Sequence, residues 1–85
     1  MVSAEQKDRI TEAIAAEVRA KRGLRGISCD ELADRADLSQ PAMASIERAE
    51  REIEMSELYR ICSVLDIEPS DLLQAAQNAL RNDQA

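Results

Sequence analysis

The side chains with chemistry to offer lie close together in one stretch, ELADRADLSQPAMASIERAE, residues 31–50. Ser39 and Ser45 bring hydroxyls, Gln40 brings a carboxamide, and Arg48 and then Arg51 bring guanidinium groups. From Ser39 to Ile46 stand Pro41, Ala42 and Ala44 as small residues, with Met43 and Ile46 as larger apolar ones. Such groups break no bonds. They donate and accept hydrogen bonds at short range, on a frame slim enough to enter a narrow space. Covalent chemistry has little support elsewhere. The chain has no His, no Gly-rich phosphate loop, and no Ser or Cys beside a base, so an enzyme is not expected. Cys29 and Cys62 are isolated and lack further ligands at zinc spacing. They are expected to be free thiols that pack like small apolar residues, with no metal and no cofactor.

The elements that position this stretch follow from local signals. The 85 residues allow one small domain, here 1–85. Phe and Trp are absent and Tyr59 is the single aromatic. A core of Leu, Ile, Val, Met and Ala with 2 Gly and 2 Pro favours an all-helical domain. Ser3, with Gln6 three residues on, marks a first helix running to about Leu24, with Ile10, Ile14 and Val18 as its apolar stripe. Its residues 3–17 form an N-terminal extension of the domain. Ser28 and Glu31 form the next capping box, before a short helix over 29–36 with Leu32, Ala33 and Ala36 inward. Ser39 caps a third helix over 40–48, with Pro41 in the first turn, where a missing N–H costs nothing. A fourth helix over 55–65 buries Leu58, Ile61, Cys62 and Leu65. Pro69 opens a fifth over 69–81 with Leu72, Leu73, Ala76 and Leu80. No apolar run approaches the roughly 18 residues of a membrane span, and the start has no apolar signal-peptide centre. A cytoplasmic protein without membrane attachment is expected.

Helices two and three are joined by only about three residues, a spacing that makes them cross steeply, as in a helix-turn-helix over 29–48. In that unit the N-terminal residues of the second helix face the major groove of DNA. Gln40 can pair with adenine, Ser45 can reach several base edges, and Ala42 or Ala44 can touch a thymine methyl. On geometry alone, a small helical bundle with an Ala-rich third helix reads equally well. The net charge of −6 argues against a nucleic-acid partner until it is located. Residues 19–51 carry +1, and the acid lies in the rest of the chain at −7.

From Val18 to Leu72 the chain resembles the phage repressor and Cro superfamily, the Xre-like helix-turn-helix domains. VRAKRGLRGIS is similar to the family's first-helix ending, DELADRADLSQPAMASIERAE to its central signature, and LYRICSVLDIEPSDLL to its fourth helix and the turn into the fifth. The resemblance implies a five-helix, all-α DNA-binding domain. It implies a sequence-specific transcriptional regulator, most simply a repressor, that binds a double-stranded DNA operator as a homodimer. Gln40, Pro41, Ala42 and Ser45 would then face the bases. Ser28, Cys29, Ser39, Arg48 and Arg51 would lie near the phosphates. In the family the Arg near the end of helix one pairs with the Glu closing helix three. Those residues are Arg22 and Glu47 here, and a carboxylate next to core residue Ile46 needs such a partner. Otherwise Arg22 would join a solvated cluster with Arg19, Lys21 and Arg25. Leu73, Ala76 and Leu80 are the expected dimer surface, unless they pack against helix one.

The chain departs from the family at three places. Cys29 stands where a phosphate-touching Gln is usual, Asp37 where the corner has Gly, and Ala49-Glu50 where Gly follows Ile-Glu-Arg. These changes weaken backbone contacts to DNA. They leave room for a protein-binding regulator of the same fold, an anti-activator or antitoxin-like protein with a regulatory protein as its partner.

Overall fold

The structure is a computed structural model that describes the backbone of residues 4–84 and the side chains of residues 8–82. Five helices follow one another: α1 (Ala4–Arg25), α2 (Cys29–Arg35), α3 (Gln40–Glu47), α4 (Met55–Leu65) and α5 (Pro69–Gln84). No strand occurs among the described residues. The expected cap at Ser3, and the side chain of Gln6 that would answer it, lie outside the described residues.

Local chemistry sets the short helices. The Ser28 hydroxyl accepts from the Glu31 N–H at 3.0 Å, and the Glu31 carboxylate accepts from the Ser28 N–H at 3.4 Å. The reciprocal pair satisfies two donors that a helix start otherwise leaves open. The Ser39 hydroxyl does the same for the Ala42 N–H at 3.1 Å. Pro41 sits in the first turn of α3, as its missing N–H allows. At α2's end the Leu38 N–H reaches back to the Ala33 carbonyl at 2.8 Å, and Asp37 adopts φ +58°. That left-handed residue turns the chain from α2 into α3.

The core lies where α2, α3 and α4 close on α1 and α5. Val18, Leu32, Ala33, Met43, Ile46, Ile61, Cys62, Leu65 and Leu72 are buried together, and Leu38 packs half-buried against them. Ala33 has no side chain beyond Cβ, so α3 can approach α2 closely. The apolar stripe of α1 fades toward its start: Val18 is buried, Ile14 half-buried and Ile10 exposed. Ile10 and Ile14 line an open cleft with Ile46 and Ile53.

The stripe on α5 is divided. Ala76 is buried inside the monomer, as is Ala15 of α1, and α5 packs chiefly on α1. Ala76 therefore cannot face a second copy, as the sequence suggested. A small residue lies at this depth because two helix backbones come close there. Leu80 lines a groove with Ala13 and Ala16 of α1, and Leu73 stays exposed.

Candidate nucleic-acid interface

Two arginines from α1 hold the end of α3. Arg22 Nε donates to Glu47 Oε2 at 2.8 Å and Arg22 Nη2 donates to Glu47 Oε1 at 3.0 Å. This is the two-point fork that suits guanidinium to carboxylate. Arg22 Nη1 also donates to the Ile27 carbonyl at 3.0 Å, tying in the loop before α2. Arg19 donates a short hydrogen bond to the Glu47 carbonyl oxygen, one of the acceptors a helix end leaves open. Glu47 is buried, so the fork compensates a charge that has lost most of its water.

With its C-terminal turn held, α3 presents its other end outward. Ser39, Gln40 and Pro41 are exposed, and Ala42, Ala44 and Ser45 are half-buried along the same helix. Met43 and Ile46 point into the core. The Gln40 carboxamide makes no hydrogen bond within the described residues, so it is available to a ligand. Ser28 is exposed at the start of α2, and Cys29 is half-buried beside it. Burial pushes the Cys29 thiol up, and the Glu47 carboxylate pushes it further, against the smaller opposing pull of Arg22. Cys29 therefore stays a neutral thiol, a weak donor to any phosphate.

The two arginines expected near phosphates differ. Arg48 is exposed just past α3, and no ion pair holds it among the described residues. Arg51 is turned away from that task. Its Nη1 and Nη2 donate to the two Glu57 carboxylate oxygens at 2.9 and 2.7 Å, and Nη1 also donates to the Glu52 carbonyl at 3.0 Å. Glu57 accepts from the Glu54 N–H at 2.9 Å as well. The Arg51 fork is the main reason that the Glu57 carboxyl is held down to about 2, against the opposing effect of its burial. Arg51 thus fastens the α3–α4 loop to the first turn of α4, and its charge is matched. Glu57 is six residues away, across the loop and inside the first turn of α4, so only the folded loop reveals the pair. Acidic groups stand near the same face: Asp30 and Glu31 in the first turn of α2, and Glu50 after α3.

The pattern of the Cro/C1-type HTH DNA-binding domain matches residues 18–77. The chain belongs to this family. No curated protein sequence matches it significantly. Among solved structures it is similar to the clp gene regulator ClgR from Corynebacterium glutamicum. One ClgR structure superposes with a TM-score of 0.80 at 28% identity, over 88% of this chain and 82% of that one. A second superposes with a TM-score of 0.77 at 27% identity, over 82% and 91%. It is also similar to the restriction-modification controller protein C.AhdI from Aeromonas hydrophila. Here the TM-score is 0.70 at 26% identity, over 73% and 94% of the two chains.

Proposed function

We propose that the protein is a sequence-specific transcriptional regulator, most simply a repressor, that inserts α3 into the major groove of an operator and acts as a homodimer. The observation that carries this reading is the form of α3. Its C-terminal turn is anchored by Arg19 and Arg22, while its N-terminal turn exposes Gln40 and Pro41 on a slim, Ala-rich frame. Gln40, Pro41, Ala42 and Ser45 face the bases. Ser28, Ser39 and Arg48 lie along the phosphates, with the backbone N–H groups at the start of α3. ClgR and C.AhdI are described as a gene regulator and a controller protein, which supports a regulatory role. Occupancy of a promoter is enough to block it, so the domain alone suffices for repression.

A second reading is favoured by the acidic groups around α3 and by the loss of Arg51 to Glu57. The same face would then dock a regulatory protein rather than DNA.

Selection of binding sites from random duplexes by the purified protein separates the two. If α3 reads DNA, a site emerges, and Gln40→Ala loses roughly 1–3 kcal/mol of discrimination at one base position. Its melting temperature stays unchanged, because the side chain touches no core residue. Arg48→Ala weakens binding to every sequence alike and lowers the salt slope by about one unit. If no site emerges, or both variants bind as the wild type does, the protein-docking reading replaces this one.

A further inference from the structure

The helix α1 begins well before residue 18, where the match to the family pattern starts. Its turns ahead of that point wall a site that the pattern does not include. Ile10, Ile14 and Ala15 of α1 line a cleft of about 380 Å³ together with Ile46 of α3 and Ile53 of the α3–α4 loop. Ala15 and Ile46 are buried, Ile14 and Ile53 are half-buried, and Ile10 is 39% exposed, so Ile10 forms the rim. A concave site of this size, with aliphatic walls and few polar groups, is suited to a small ligand.

The remaining wall narrows the class of ligand. Its polar residues are Thr11, Arg51 and Glu52. The Arg51 guanidinium is forked onto Glu57, so a ligand's carboxylate finds that charge already matched, and Glu52 makes the wall less hospitable still to an anion. Either ionic form of a ligand would also shed water against four isoleucines, a large cost without a new partner. Thr11 is the uncharged polar residue, with a hydroxyl that can both donate and accept. Size excludes a thicker occupant. At about 30 Å³ per non-hydrogen atom, the share a water has in its liquid, the cleft holds roughly a dozen such atoms. A single turn of a partner's helix, about 11 Å across and about 5.4 Å high, displaces roughly 500 Å³ and is too thick to enter.

We propose that this cleft is a binding site for a small uncharged molecule, with an aliphatic body and a hydroxyl or carbonyl head, and that its occupation is felt by α3. The second half rests on the proposed role of α3 as the DNA-reading helix, and the first half does not. Ile46 directly precedes Glu47, the residue that Arg19 and Arg22 grip. Arg51 fastens the loop to α4. A molecule seated between them bridges α1 to the root of α3 and to the loop, and holds that root more firmly.

n-Octanol fits the cleft and serves as the ligand in the test. Titrated into the isotope-labelled full chain, it should saturate at submillimolar concentration. The amide NMR signals of Ile14, Ile46 and Ile53 should shift most. Octanoate and octylammonium should bind at least about tenfold more weakly. Ile10→Trp, which fills the rim, should weaken octanol binding about tenfold or more with the circular dichroism melt retained. Ile10→Glu, which takes an aliphatic side chain from the wall, should do the same. Octanol shifts that do not saturate or that scatter over the surface overturn the site, as does unaltered binding by both Ile10 variants. A wild type that takes up no octanol and sediments as a dimer, which Ile10→Glu splits, gives the cleft to a second copy instead. Octanoate or octylammonium binding as tightly as octanol overturns the uncharged class. With a selected operator, saturating octanol should tighten DNA binding about fivefold, and the operator should tighten octanol binding by the same factor. An unchanged operator affinity overturns the coupling to α3. A protein that binds octanol and selects no DNA site would sink the operator reading and leave the cleft standing. One that selects a site and takes up no octanol would do the reverse.

Discussion

Arg22 and Glu47 are bound more closely than their 25-residue separation in the chain suggests. The Glu47 side chain is only 7% exposed and the Arg22 side chain 24%. Removing either leaves the other short of both water and a partner. Arg22→Ala and Glu47→Ala should each cost about 3–5 kcal/mol, and the double variant should cost clearly less than the sum. Urea unfolding of the four proteins measures this, and strict additivity would show the two side chains to be energetically independent. Glu57 makes a prediction in pH. Its carboxyl is held at about 2 in the folded protein against an ordinary 4.5. A carboxylate with a lowered value favours the fold fully above 4.5, and that support is lost as pH falls from 4.5 toward 2. The difference corresponds to roughly 3 kcal/mol. Glu57→Gln should flatten the stability curve in this window and be less stable than the wild type at pH 6. An unchanged curve on the acid side would show that Arg51 and Glu57 part in solution.

The helices α2, α3 and α4 end by the same device. The residue just past each helix, or one beyond, turns left-handed: Asp37 at φ +58°, Ala49 at +57° and Asp66 at +54°. Each time, the next N–H reaches five residues back, from Leu38 to Ala33, Glu50 to Ser45 and Ile67 to Cys62. Asp tolerates this backbone better than Ala, whose Cβ has no compensating hydrogen bond. Ala49→Gly should therefore stabilise the protein by about 1 kcal/mol, seen as a higher denaturant midpoint at constant slope. A lower midpoint would mean that the Ala49 methyl contributes packing that outweighs the strain. The helices themselves were legible in the sequence because their signals are local. Ser28 with Glu31, Ser39 with Pro41, and Pro69 are all read within a few residues, and observed ends differ from expected ones by at most three. What the sequence concealed depends on distant packing. Ala76 looks the same in a stripe whether it faces α1 or a second copy. Arg51 looks free until the loop brings Glu57 to it. In the candidate site, the exposed tip of α3 could be anticipated from its small residues. The withdrawal of Arg51 could not.

For the molecule as a whole, the decisive quantity is where the charge lies. The chain carries −6, and with Arg51 matched by Glu57 and Arg19 bonded to the Glu47 carbonyl, Arg48 stands exposed just past α3 with no ion pair among the described residues. Association with an operator should therefore depend only modestly on ionic strength. Under the homodimer reading, neutralising a few phosphates gives a log–log slope of about −2 to −4. Titration of a selected site between low and moderate salt measures it. A slope near −10 would mean that basic groups elsewhere reach the DNA. Non-specific duplex should bind weakly, since an acidic body gains little from an unread backbone. Under the proposed reading, discrimination then falls to close fit at Gln40 and its neighbours.

The clasp on Glu47 gives α3 the mechanics of a cantilever. The helix is about 12 Å long at 1.5 Å per residue, with its root gripped by Arg19 and Arg22, Met43 seated in the core and its tip exposed at Gln40. A tilt of about 5° at the root swings a tip at that length by about 1 Å, enough to disengage a side-chain amide from a base edge. If α3 reads an operator as proposed, substitutions around the root that touch no nucleotide would retune which operator is preferred. Drift in specificity would then not need to pass through Gln40 and its neighbours.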